Sequence, residues 1–295
     1  MQVCHSATAI RNVLFATDFS EESAHAIEYV RSLRQGYDAK IHVVHVADLF
    51  PYSLSDDPAA KREAEHIQHQ AEARIRDFML VHQFDRKHFE PSVVSGEVFM
   101  AVEKFSGEHN IDLILLGSRG DLGINRIFLG STAEEIFRTA RCPVMIVGPH
   151  ASVPQKDGRF HQLLFATDLS PHSRAALAYG ERLLRDNPRA SITLAHFVSH
   201  DGRQHPVAQI QSELLHMLPA DLSDRVAAAI VKEGPPAQSM VEMASAIHAD
   251  LLILGVRYGG SFLRAATHGL FSITHQVIGK SPCPVLTVRG SQPAV

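Results

Sequence analysis

Apolar residues along this chain fall into two kinds of run. Short unbroken stretches, such as Leu113 to Leu116, Val144 to Val147 and Leu251 to Leu254, are of strand length and are bounded by polar residues or glycine. A run without alternation suits a strand buried on both faces, as in a parallel sheet covered by helices. Longer segments instead carry apolar residues at helical spacing. Ala64, Ile67, Ala71, Ile75 and Phe78 share one face of a long helix opened by Pro58, and Val98, Val102 and Phe105 stripe another. A short strand over Val93-Val94 ends at Gly96, and Thr132 to Ala140 and the tract around Ile210 to Leu218 have helical patterns. Strands alternate with helices throughout, which predicts a doubly wound, parallel α/β sheet with helices on both faces.

The pattern occurs twice. Phe15-Ala16-Thr17-Asp18-Phe19-Ser20 recurs as Phe165-Ala166-Thr167-Asp168-Leu169-Ser170, and KIHVVHV from Lys40 is echoed by SITLAHFV from Ser191. Asp112 to Gly117 recurs as Asp250 to Gly255, and Cys142-Pro143-Val144 as Cys283-Pro284-Val285. The order is kept and the offset drifts only with loop length, so these are two copies of one domain. Residues 1–148 form the first and 160–295 the second; Pro149 to Arg159, polar and unpatterned, is the linker.

Within the first copy, the strand Arg11 to Ala16 ends at Thr17-Asp18, and Ser20 is a natural N-cap followed by Glu21 and Glu22. The second copy has Ser170-Pro171, a cap with proline at the first helical position. After the strand at 113–116, glycines fall at 117, 120, 123 and 130, and Ser131 opens a helix. Such a loop lets backbone N–H groups approach an anion, and the helix end adds unpaired donors with a partial positive charge. In an open parallel sheet ligands sit at strand carboxyl ends where the strand order reverses. Asp18 beside a backbone anion nest suits a nucleotide; a strand-end cap is the structural alternative for Asp18, and ligand-free turns are the alternative for the glycines.

Composition narrows the partners. Lys and Arg number 28 against 32 Asp and Glu, a net charge of −4 that argues against a general nucleic-acid binder. No apolar run approaches a membrane span, and the N-terminus lacks the pattern of a signal peptide. Three cysteines, Cys4, Cys142 and Cys283, have neither disulfide nor zinc spacing. A reduced cytoplasmic protein with no membrane and no nucleic-acid partner is expected. His66 and His69 share a helix face but no third ligand is in pattern, so no metal site is expected. His45 and His196 match across the repeat and read as packing or hydrogen-bonding groups at strand ends.

The spacing Gly117-x2-Gly120-x9-Gly130-Ser131, the first-strand Ala-Thr-Asp-Phe-Ser, the Cys-Pro-Val last strand and the duplication together resemble the universal stress protein family, in a tandem form covering nearly the whole chain. The resemblance implies a Rossmann-like fold and an ATP-binding, stress-response regulatory role with at most slow hydrolysis. It implies that Ala16, Thr17 and Asp18 flank adenine and ribose, with Val46 at the base. Leu116, Gly117, Arg119, Gly120, Gly130, Ser131, Thr132 and Ala133 would line the ribose and phosphates. Mg²⁺ would accompany the nucleotide, with AMP or ADP as alternatives to ATP. Nucleotide would order the loop Asp121–Leu129. Family members pair through their last strands, so Val144–Val147 would pair with Val285–Val288 as a pseudo-dimer within the chain, and a further homodimer stays open.

The second half departs from the pattern. Aligned through Cys283, Gly130 corresponds to Phe271; aligned through Gly255, Gly120 corresponds to Tyr258. A shifted alignment recovers Gly259 and Gly269 but puts Leu270 in the place of the serine. Nucleotide in the first half only, with Asp168 kept as a cap, is the expectation. No general base beyond Asp18 suggests a dedicated enzyme. Two other readings stand beside this one: an adenylyl-transferring or pyrophosphatase-like enzyme, whose phosphate loops Thr17-Asp18-Phe19-Ser20 does not match, and a scaffold that binds no nucleotide.

Overall fold

Each unbroken apolar run forms a strand buried on both faces in the computed structural model, which describes residues 10–20, 24–47, 49, 57–118, 131–198, 206–256 and 270–289. In the first half β1 (Asn12–Ala16), α1 (Ala24–Tyr37), β2 (Lys40–Ala47), α2 (Pro58–Val81) and β3 (Phe89–Ser95) are followed by α3 (Val98–Glu108), β4 (Leu113–Gly117), α4 (Ser131–Thr139) and β5 (Val144–Val147). In the second, β6 (Gln162–Thr167), α5 (Pro171–Asp186), β7 (Ser191–Val198) and α6 (Val207–Leu215) lead through a 3₁₀ turn at Ala220–Arg225 to β8 (Val226–Glu233). Then come α7 (Pro236–Ala246), β9 (Leu251–Val256), α8 (Leu270–Lys280) and β10 (Val285–Arg289).

The ten strands form one sheet in the order β3-β2-β1-β4-β5-β10-β9-β6-β7-β8. Neighbours are parallel except β5 and β10, which pair antiparallel through Val285↔Ile146, Leu286↔Met145 and Thr287↔Val144. The expected pairing of last strands is therefore present within the chain. Alternate strand residues feed two cores. Val13, Phe15, Leu113 and Leu115 pack with α1, α2, α5 and α6 on one face. Leu14, Ile114, Leu116 and Ile146 pack with α3, α4, α7 and α8 on the other.

Boundary differences have local causes. The third strand is longer than the Val93-Val94 core suggests and runs through Pro91, opposite Val43. It is an edge strand, where a missing N–H costs no ladder bond. The helix at 207 stops at Leu215, and Leu218 is buried from the turn beyond it. Residues 149–161 join β5 to β6 without regular structure. This connection lies hard against α1: a Cβ on Gly36 would stand 2.1 Å from the Gly158 carbonyl oxygen, and Gly158 has φ +72°.

Asp112 and Asp250, repeated in the sequence, serve the fold. Asp112 Oδ2 accepts the N–H groups of Arg11 and Asn12, both at 3.0 Å. Asp250 Oδ2 accepts those of His161 and Gln162 at 2.8 and 2.9 Å. Each carboxylate, at the start of the fourth strand of its half, thus clamps the entry of the first.

His42, in mid β2, is 2 % exposed and neither ring nitrogen makes a hydrogen bond among the described residues, although Nδ1 lies 3.4 Å from Glu90 Oε2. Its ring lies against Phe105 and His109, with centroids 5.6 and 4.9 Å away. Burial, reinforced by His109 and Lys40, pushes its pKa down to about 4. The unfolded chain binds this proton near the ordinary value of 6.5, so between those values protons favour unfolding. Stability is expected to fall by at most about 3 kcal/mol as pH drops through that window. His42→Leu should flatten the corresponding part of a plot of urea-unfolding free energy against pH; an unchanged slope would count against this role.

Candidate functional site

The order 3-2-1-4-5 in the first half places its switch point between β1 and β4, whose ends pair through Ala16↔Leu116. From there the chain leaves β1 through Thr17-Asp18 and β4 through Gly117-Ser118. A helix joining two parallel strands runs back against them, so α4 begins at this same edge of the sheet. The second half repeats the arrangement with Ala166↔Leu254.

The exit from β1 is a fixed turn. Thr17 is buried, its N–H donates to Val44 O at 3.0 Å, and its Oγ1 accepts the N–H of Phe19 at 2.9 Å. Asp18 Oδ1 accepts the N–H of Ser20 at 3.0 Å. These contacts hold Phe19 at φ 65°, a left-handed conformation unusual for an aromatic residue. His45 Nδ1 lies 2.9 Å from Thr17 O. A carbonyl can only accept, so Nδ1 carries the proton, and burial keeps the ring's pKa below the ordinary value. Phe19 lies over this ring, centroids 4.4 Å apart. Arg74, reaching over from α2, places its guanidinium 4.7 Å from the Phe19 centroid and donates to Asp18 O at 3.4 Å.

The second half builds the same turn. Thr167 Oγ1 accepts from Leu169 N (2.9 Å, φ 62°) and His196 Nδ1 lies 2.8 Å from Thr167 O. Asp168 Oδ1 accepts both the N–H of Ser170 at 3.0 Å and the hydroxyl of Ser173 at 2.7 Å. The threonine and histidine therefore shape the turn in both halves, as strand-end hydrogen-bonding groups.

The remaining expected residues divide. Val46 and Leu116 are buried in the α3/α4 face core, with Ala16 and Ala133 packed partly exposed against it. Gly117 is partly exposed at the end of β4, opposite Val147. Ser131 and Thr132 form the first residues of α4. Arg119, Gly120 and Gly130, with the loop Asp121–Leu129, lie outside the described residues, as do Tyr258, Gly259 and Gly269 of the second half.

One residue escaped the sequence reading. Ser118 continues the ladder by donating its N–H to Val147 O at 3.0 Å. Strand alternation puts its side chain on the face of α3 and α4. Its hydroxyl is buried, the residue 4 % exposed, and it has no hydrogen-bond partner among the described residues. At the equivalent place the second half has Val256. A polar residue directly after a fully apolar strand was the available signal, obscured by its place among the glycines. Phe19 and Arg74 were also missed, because helix α2 comes from a distant part of the chain.

The sequence profile described as "Universal stress protein family" matches residues 9–148 and 159–289, one copy on each half. The chain belongs to the universal stress protein family. A universal stress protein of Methanocaldococcus jannaschii is 23% identical over 138 residues, spanning 46% of this chain and 81% of its own length. Universal stress protein G of Escherichia coli O157:H7 is 31% identical over 131 residues, spanning 43% and 89%. Among solved structures, a universal stress protein from Archaeoglobus fulgidus DSM 4304 superposes with a TM-score of 0.67 at 22% identity, over 94% of this chain and 98% of that one. That likeness extends to the tandem fold. No helix among the described residues is long and apolar enough to cross a membrane.

Since Thr17 and Thr167 hold equivalent turns, their loss should be equivalent. Thr17→Val and Thr167→Val each leave a partly buried N–H unpaired, and each is expected to cost about 1–2 kcal/mol in urea unfolding. A cost confined to one half would show that the turn is not the shared structural element described.

Proposed function

We propose that this universal stress protein is a stress-response regulatory protein that holds one adenine nucleotide, ATP, at the switch point of its first half. The observation that carries the reading is the Ser118 hydroxyl, buried and without a partner among the described residues, where β4 ends beside the β1 turn. A buried polar group without a partner is destabilising unless something supplies its hydrogen bond. The polar part of a ligand seated between the β1 and β4 ends would do so. The motif Gly117-x2-Gly120-x9-Gly130-Ser131 supports phosphates as that part, gathered by loop N–H groups and the start of α4.

Within this reading Ala16, Thr17, Asp18 and Val46 lie on the adenine and ribose side, and Leu116, Gly117, Arg119, Gly120, Gly130, Ser131, Thr132 and Ala133 on the ribose and phosphate side. Mg²⁺ bound with ATP would offset phosphate charge. No group of three His, Cys, Asp or Glu side chains among the described residues is placed to hold a metal. The ion would therefore be held chiefly through the phosphates and water. The second half, with Val256 for Ser118 and Phe271 for Gly130, is the half that does not take nucleotide.

Titration calorimetry of the full chain with ATP and Mg²⁺ is expected to give one nucleotide per chain. Gly130→Phe, which copies the second half, should weaken binding at least about tenfold by obstructing backbone approach to phosphate, with the circular dichroism spectrum unchanged. Two nucleotides per chain would remove the asymmetry between halves, and binding unaffected by the substitution would remove the site.

A further inference from the structure

Around the junction of the two halves, residues 141 positions apart are equivalent: Cys142 and Cys283, Val144 and Val285, Gly148 and Arg289. The β5–β10 register is symmetric about the Met145–Leu286 pair, so a pseudo-twofold axis passes there. In a twofold interface, a residue on the axis meets its own equivalent. Glu134 and His275 are equivalents in this numbering, and they meet. His275 Nε2 donates to Glu134 Oε2 at 2.9 Å, both side chains about a quarter exposed. The imidazole also stands edge-on to Phe137, centroids 5.6 Å apart. Arg138 Nε holds the other carboxylate oxygen at 2.5 Å. Although burial pushes the Glu134 carboxyl up, the hydrogen bonds from His275 and Arg138 outweigh it and hold the pKa below the ordinary value.

Two more polar contacts cross the junction in the same sense. Thr287 Oγ1 donates to Val144 O at 3.1 Å, and Arg289 Nη2 donates to Phe137 O at 2.8 Å. Their first-half equivalents are Ile146 and Gly148, which carry no side-chain donor. Gly148 has no room for one either: a Cβ there would stand 2.2 Å from the Ile278 carbonyl oxygen. In all three contacts the second half donates and the first accepts.

We propose that this junction is coded for unlike halves: the α4–β5 face of the first half fits the donor-bearing α8–β10 face of the second and disfavours another copy of itself. Two first halves brought together would set Glu134 against Glu134 on the axis at the same close range, each keeping its own Arg138 but without the imidazole, threonine and arginine donors that the second half supplies. Like charges facing each other in a partly buried interface repel strongly. The chain instead carries a complementary pair at this place. The inference rests on the junction alone and is independent of the nucleotide reading.

Melting temperatures of four full-length proteins at pH 7 test it: wild type, H275E, the exchanged pair E134H/H275E, and E134Q/H275E. H275E recreates the glutamate–glutamate contact and is expected to melt about 4–10 °C lower. Because the two positions are related by the pseudo-axis, the exchanged pair should recover more than half of that loss. E134Q/H275E should also recover, since the repulsion is gone. An H275E protein that melts with the wild type, or an exchanged pair as unstable as H275E, overturns the proposal. Should H275E fail to fold, recovery of a folded exchanged pair supports it and failure of both double variants overturns it.

Discussion

The antiparallel pairing of β5 with β10 is the constraint on which the rest of the molecule depends. β5 is four residues long, all buried, and could not stand as a sheet edge without exposing an apolar strand to water. Joined to β10 it becomes the interior of a ten-stranded sheet whose edges are β3, which contains Pro91, and β8. The same pairing sets the helices of the two halves against one another, α4 against α8 through Glu134 and His275.

Antiparallel junction of two parallel sheets has a further consequence. The strand carboxyl ends of one half point opposite to those of the other, so the two switch points lie at opposite edges of the sheet. One ligand cannot bridge them, and each half keeps or loses its site separately. The frame around both sites is nonetheless the same, with threonine, left-handed residue and histidine repeated in place. Among the described residues the halves differ at Ser118 against Val256, and in Arg74, which lies over Phe19 from a helix longer than its second-half counterpart.

Recurrence in the sequence therefore marked two different things. Thr17-Asp18 and Asp112 recur because a turn and a strand entry need their hydrogen bonds, which any copy of the fold must supply. The glycine spacing, by contrast, does not recur intact. Ser118 shows the limit of this logic. Its polar type after an apolar strand is a weak signal, and its burial without a partner among the described residues is what distinguishes it.

The pairing of the last strands was implied only by the family resemblance; the fold class and the duplication were determined by the sequence alone. Those follow from local runs of apolar residues and repeated turns, which act over a few residues and are written in order along the chain. Tertiary structure alone decided which groups meet across long separations. Glu134 meets His275 because a pseudo-axis passes between them, and His42 loses its water because Phe105 and His109 close over it. Arg74 reaches the β1 turn because α2 crosses the sheet. Periodicity gives the face on which a side chain lies, but the partner on that face is set by how the elements pack.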